Sequence, residues 1–241
     1  MYKHVFFDLD KTLTKSRSSL LPDQQELFEK LCAVKDIIVV TGGSTEQIRE
    51  QITPRFDGKY FALPQSGNQA LDKSGEEFWN EPLDDSQVSA IMEFIEFLKK
   101  YFNIKVRDEN DIIENRGAQV SYSVIGFHED VKKKYAFDPD DKKRQAALAA
   151  HPDALEKLRK KRVDVTPAGT TVFNFIPLGK HKGFNIARFL ELKGWEKEEC
   201  LYVGDALFPG GNDETVIGVI PTHAVKDPND TFDYIARKLL H

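Results

Sequence analysis

Three short, unbroken apolar runs punctuate the chain: HVFF at 4–7, IIVV at 37–40 and CLYV at 200–203. Each is too short for a helix and lacks a polar face, the pattern of a strand buried on both sides of a sheet. Between and after them, helix-like segments occupy 23–34, 183–194 and 231–240, and Ser44, three residues ahead of Gln47, opens a further helix as a capping box. Strands that alternate with helices predict a doubly wound parallel sheet of the α/β class.

The middle of the chain has another rhythm. NQALD and EEFWN flank Lys73, Ser74 and Gly75 as a hairpin, and 81–102 reads as an amphipathic helix. GAQVSYSVIG and TTVFNFIP read as strands, with two charge-rich helical segments between them. The expectation is an α+β insert of roughly 100 residues, with hinges near 81–85 and 178–182. That divides the chain into a first part of the core at 1–83, an inserted cap at 84–178 and a second part of the core at 179–241.

Composition narrows the classes. The chain has 241 residues, 40% hydrophobic and 17 of them Phe, enough for a real core and incompatible with a disordered chain. A formal net charge of -5 gives no overall positive field, and no basic stripe carries interleaved aromatics, so neither nucleic acid nor an anionic membrane surface is the expected partner. Basic runs at Lys132 to Lys134, Lys142 to Arg144 and Arg159 to Arg162 read as solvated helix faces. Cys32 and Cys200 have no ligand-type spacing and read as reduced core residues. With no apolar stretch of spanning length and no leader pattern, the expected compartment is the cytoplasm.

The strand ends carry the chemistry. Asp8 follows VFF, Thr41 follows IIVV, and Gly204 with Asp205 follows LYV. In an open parallel sheet these ends converge on the crevice where ligands bind. An isolated DxD would do no more than begin a turn. With Thr41, Lys182 and Asp205 also present, Asp8 and Asp10 read as part of an oxygen-lined pocket for Mg²⁺, since crowded carboxylates repel unless a cation lies between them. Thr41, Gly42, Gly43 and Ser44 offer a hydroxyl and open N–H groups to a phosphoryl oxygen. Lys182, placed against the dipole at the start of a helix, could neutralise phosphate and carboxylates. Asn212 and Asp213 in GDALFPGGND could hold a metal-bound water or orient Lys182. There is no HExxH, P-loop or GxSxG pattern.

These motifs resemble those of the haloacid dehalogenase superfamily of phosphatases and phosphotransferases. Asp8 and Asp10 in DLDKTLT match the first motif, Thr41 the second, Lys182 the third, and Gly204-Asp205 with Asn212-Asp213 the fourth. Lys11 stands where the commonest first motif has Gly. Within the superfamily the chain is most similar to eukaryotic-type phosphomannomutases, through Arg17 in DLDKTLTKSR, TGGS, Arg116, FNFIP and GDALFPGGND. The resemblance implies a mobile type IIB cap and a homodimer formed through it. The cap also departs from the family: positions where the mutases carry phosphate-gripping arginines fall on Phe127 and Lys134, and an Asp that meets sugar hydroxyls is Asn174.

The implied chemistry is Mg²⁺-dependent phosphoryl transfer on a small sugar phosphate through an aspartyl-phosphate. Asp8 is the nucleophile, Asp10 the general acid and base, and Thr41 and Lys182 bind phosphoryl oxygens. The metal is held by Asp8, Asp205 and the Asp10 carbonyl, with Asn212 and Asp213 behind. Arg17, Gly42, Gly43, Ser44, Arg116, Lys134 and Asn174 are the expected substrate contacts. Water as acceptor makes a phosphatase, which the thinned arginine set favours. A retained sugar hydroxyl makes a mutase interconverting mannose 1-phosphate and mannose 6-phosphate, and a non-catalytic sugar-phosphate-binding protein is the remaining alternative.

Overall fold

The structure, a computed structural model, describes residues 2–240. In chain order its elements are β1 (His4–Phe7), α1 (Pro22–Val34), β2 (Asp36–Val40), α2 (Thr45–Ile52), β3 (Tyr60–Leu63), β4 (Gln69–Leu71) and β5 (Glu77–Asn80). Then follow α3 (Asp85–Phe102), β6 (Ile113–Asn115), β7 (Val120–Ser123), α4 (Val131–Phe137), α5 (Lys142–Ala149), α6 (Pro152–Lys160), β8 (Val163–Ala168) and β9 (Val172–Pro177). The chain closes with α7 (Lys182–Lys193), β10 (Cys200–Gly204), β11 (Thr222–Ala224) and α8 (Pro228–Tyr234). Two compact units result, one of Met1–Asn80 with Lys180–His241 and one of Glu81–Gly179.

In the first unit the described strands form one sheet in the order β11-β10-β1-β2-β3-β4-β5. β11 through β3 are parallel, and β4 and β5 turn back antiparallel. Side chains alternate across a strand, so the runs feed two cores. Val5, Phe7, Ile37, Val39, Leu201 and Val203 pack with Phe28 and Leu31 of α1 and Phe232 of α8. Phe6, Ile38, Val40, Cys200 and Tyr202 pack on the other face with Ile186, Phe189 and Leu190 of α7. Phe6 and Phe7 have no exposed surface, and burial of each contributes roughly 1.5–3 kcal/mol. Beyond α8 the expected helix continues as a π turn over Ile235–Leu239.

The second unit is an antiparallel sheet, β6-β7-β9-β8, with helices on one face. Ile91, Phe94, Ile95 and Leu98 form the apolar stripe of α3 and pack with Val120, Tyr122, Phe173 and Phe175. Asp84 and Gln87 close a full capping box at its start. Where the sequence suggests two charge-rich helices there are three, because Asp138-Pro139 and His151-Pro152 each interrupt the helical path.

Arg144 corrects the reading of Lys142 to Arg144 as a solvated face, for its side chain is wholly buried. Its Nε donates to Asp138 Oδ2 (2.9 Å), and its terminal nitrogens donate to the carbonyls of Ala168 (2.7 Å), Val172 (2.9 Å), Gly169 (2.9 Å) and Asp138 (3.3 Å) and to the Asp141 carboxylate. Cys200 is buried in the core of the first unit, and Cys32 is half-buried at its margin. No helix among the described residues is long and apolar enough to cross a membrane.

Candidate active site

Register brings the strand ends level. Phe7 pairs with Val39 on one side and Val203 on the other, and the Asp8 N–H donates to the Val203 carbonyl at 3.0 Å. Asp8 therefore emerges beside Val40 and Gly204, with Thr41 and Asp205 one residue further on. Lys182, the first residue of α7, is buried and reaches the same edge. Its Nζ donates to Asp8 Oδ1 (2.5 Å), Asp213 Oδ1 (2.7 Å) and the Tyr202 hydroxyl (3.3 Å). Tyr202 in turn donates to Asp213 Oδ1 at 2.7 Å.

Two glycines make this approach feasible. A Cβ on Gly183 would stand 1.8 Å from the Thr215 carbonyl oxygen, so only glycine lets α7 start against that main chain. A Cβ on Gly204 would stand 2.4 Å from Asp213 Oδ2 and 2.7 Å from the Tyr202 ring. Thr12, also buried, anchors the facing loop: its hydroxyl accepts from the Asp205 N–H at 3.1 Å.

One oxygen from each of Asp8, Asp205 and Asp213 lies within 4.8 Å of the others. Their mutual charge is felt. Burial raises the Asp8 carboxyl well above its usual range; Lys182 opposes this, while Asp213 and Asp205 add to it. Asp205 is pushed up to about 6 by burial and then by Asp213, with Lys11 and Lys182 pulling the other way. Burial works against the charge on Lys182, but Asp213 and Asp8 outweigh it and hold the ammonium above its ordinary range. One lysine thus serves three acids, and a set of crowded carboxylate oxygens with residual negative charge fits a hard divalent cation.

Asp10 stands outside that cluster. Its carboxylate accepts from the Arg17 N–H (3.0 Å) and from Gln47 Nε2 (3.1 Å). Ser44 accepts from the Gln47 N–H at 3.2 Å as the N-cap of α2, but the Gln47 side chain leaves the expected box for Asp10. Capping explains Ser44 and only half of Gln47. Thr41 is buried, and its hydroxyl accepts from the Gly43 N–H at 3.1 Å. Arg17 is exposed, Gly42 lies half-buried beside Thr41, and Asn212 is half-buried next to Asp213.

Behind Thr41 lies a turn with no advance signal except one glycine. Gln65, Ser66 and Gly67 take φ values of 54°, 61° and 83°, three successive residues in the left-handed region. The turn is held from all sides: Ser66 N–H donates to the Thr41 carbonyl (2.7 Å), Asn185 Nδ2 of α7 donates to the Ser66 carbonyl (2.9 Å), and Trp79 Nε1 donates to the Gly67 carbonyl (2.9 Å). Asn68 Nδ2 bridges the Gln65 carbonyl (2.9 Å) and the Lys180 carbonyl (3.0 Å). This joins the main chain at Thr41 to the start of the helix that carries Lys182.

The remaining expected contacts belong to the second unit. Arg116 is ion-paired with Glu114 and donates to Ser121 Oγ (3.1 Å), which donates to Asn174 Oδ1 (2.8 Å). Lys134 Nζ donates to the Phe127 carbonyl at 2.8 Å, and Phe127 itself is buried. Arg116 and Asn174 thus share one network, and Lys134 belongs to another.

The geometry can be set beside known proteins. The family model for haloacid dehalogenase-like hydrolases matches residues 5–214. A phosphomannomutase of Spinacia oleracea is 27% identical over 234 residues, covering 94% of this chain and 92% of its own. A haloacid dehalogenase-like hydrolase from Bacteroides thetaiotaomicron superposes with a TM-score of 0.65 at 18% identity, covering 98% of this chain and 99% of its own. An IMP-nucleotidase of Plasmodium falciparum gives a TM-score of 0.68 at 13% identity, covering 98% of this chain and 66% of its own. The two structural likenesses establish a shared fold.

Proposed function

The chain belongs to the haloacid dehalogenase-like hydrolases and is an enzyme, and from that premise we propose that it is a Mg²⁺-dependent phosphomonoesterase of a small sugar phosphate in the cytoplasm. The observation that carries this reading is the approach of Asp8 and Lys182 at 2.5 Å inside a cluster of three carboxylates at the ends of parallel strands.

In this reading an Asp8 carboxylate oxygen attacks phosphorus, forming the P–O bond of an aspartyl-phosphate as the bond to the sugar oxygen breaks. Asp10, oriented by Gln47 and the Arg17 N–H, gives its proton to the leaving oxygen and takes one back from the water that hydrolyses the intermediate. Lys182 and Thr41 bind the phosphoryl oxygens, with Gly42, Gly43 and Ser44 supplying further donors. The carboxylates of Asp8 and Asp205 and the Asp10 carbonyl would hold Mg²⁺, with Asn212 and Asp213 behind them. When bound, the ion neutralises the acids and stabilises charge on the phosphoryl group. Arg17, Arg116, Lys134 and Asn174 are the candidate contacts to the rest of the substrate.

Similarity to phosphomannomutases along nearly the whole chain keeps a second reading in play, in which a sugar hydroxyl replaces water. A single experiment separates the two: a panel of small phosphoesters with Mg²⁺, scored for free phosphate and for isomer product together, with Asp8→Asn as control. Phosphate release that disappears in the control supports the phosphatase. Interconversion of mannose 1-phosphate and mannose 6-phosphate with little free phosphate replaces it by the mutase.

A further inference from the structure

Tyr202 lies in the middle of an apolar strand, yet its hydroxyl is at the centre of the charged network. An ammonium has three N–H donors, and all three of Lys182 are spent: on Asp8 at 2.5 Å, on Asp213 at 2.7 Å and on Tyr202 at 3.3 Å. The first two bonds join opposite charges and are short; the third goes to a neutral oxygen and is long. The phenol's own proton is committed to Asp213 at 2.7 Å, so toward Lys182 it can only accept. A phosphoryl oxygen that meets this lysine must displace one of the three partners, and the weakest is Tyr202.

We propose that the Tyr202 hydroxyl is the resting partner of the third N–H of Lys182, relinquished to a phosphoryl oxygen when a phosphate group binds. The inference rests on the reading of Lys182 as a phosphoryl ligand. Tyr202 is then a positioning residue: it spares a buried ammonium an unsatisfied N–H whenever no phosphate is bound, and the same bond opposes binding. Gly204, where any Cβ would strike both the Tyr202 ring and Asp213, leaves the room in which the hydroxyl meets its two partners.

The test is Tyr202→Phe, which keeps the ring and its packing. With Mg²⁺ present, inorganic phosphate measured by calorimetry binds the variant roughly three- to tenfold more tightly than wild type. KM falls by more than kcat changes, because the lost Lys182 bond is absent from both the bound ground state and the transition state, whereas the bond to Asp213 is lost in the free and bound protein alike. The ligand-free variant melts below wild type, and that gap narrows at saturating phosphate. Unchanged or weakened phosphate binding, or an equal melting gap with and without phosphate, overturns the proposal as a merely structural hydroxyl would. Wild-type protein that neither binds phosphate nor hydrolyses phosphoesters removes the phosphoryl-transfer reading along with it; wild-type protein that does both beside an indistinguishable variant removes the Tyr202 inference alone.

Discussion

Among the described residues each unit buries one long cationic side chain, and the two are satisfied in opposite ways. Arg144 of the second unit spends its planar fork on two carboxylates and four main-chain carbonyls, tying the start of α5 to the turn between β8 and β9. Lys182 of the first unit is a point charge whose partners are two carboxylates and a phenol, with a third acid close by. Around Arg144 the hydrogen-bonding capacity of the cation is fully used on a rigid frame. Around Lys182 the acids outnumber the cation, and Asp8 and Asp205 hold their protons more tightly, through burial first and the neighbouring acids second. A saturated fork marks a structural joint, whereas a surplus of charge marks a place prepared for something further.

Four substitutions test that contrast, from the largest effect to the smallest. Asp8→Asn lowers kcat by roughly 10³-fold or more, while the melting temperature holds, since an acid is removed from a crowd of acids; phosphate-release kinetics and a thermal melt check both halves. Arg144→Met has the converse signature. It strands Asp138 without its partner and costs about 3–5 kcal/mol, read as early proteolysis and loss of near-UV signal confined to the second unit. Were Arg144→Met to leave stability intact, the distinction drawn between the two cations would fail.

Asp205→Asn weakens Mg²⁺ binding by at least about tenfold. Saturating Mg²⁺ raises the melting point of wild type by about 5 °C, a gain that chelation reverses and that the variant largely lacks. The smallest effect lies at the other end of β1, where His4 stacks on Trp195 with ring centroids 3.6 Å apart. Burial lowers the His4 pKa, partly countered by Asp36. A depressed folded value means the ring's contribution is present above its unfolded pKa of about 6.5 and is lost as pH falls through the folded one. Between pH 7.5 and 5, wild type should lose slightly more melting temperature than His4→Gln, by under about 2 °C. A larger gap would join His4 to the active-site network.

The sequence was most readable where one physical cause acted alone. β1, β2 and β10 are continuous apolar runs because both faces of the sheet are covered, and their ends announce Asp8, Thr41 and Asp205. β11 is three residues, THA, with no apolar run to detect, and Pro167 within β8 argues against a strand that nonetheless forms. Residues with two jobs were the hardest to see. Gln47 satisfies a capping pattern by its main chain while its side chain holds Asp10. Tyr202 reads as core because its ring is core, and only its hydroxyl belongs to the site. Arg144 sits in a basic run that looks solvated, and nothing in its neighbours signals that Asp138 and the β8–β9 turn will enclose it.

The turn at Gln65, Ser66 and Gly67 carries a consequence of its own. Over three residues the main chain has the handedness of a mirror-image peptide, a shape L-residues adopt only under constraint. Chemical ligation that placed D-glutamine at 65 and D-serine at 66 would relieve the main chain of that constraint, while turning the buried Gln65 side chain away from Gln69. The same inversion introduced at Phe6 or Phe7 would break the strand beside it.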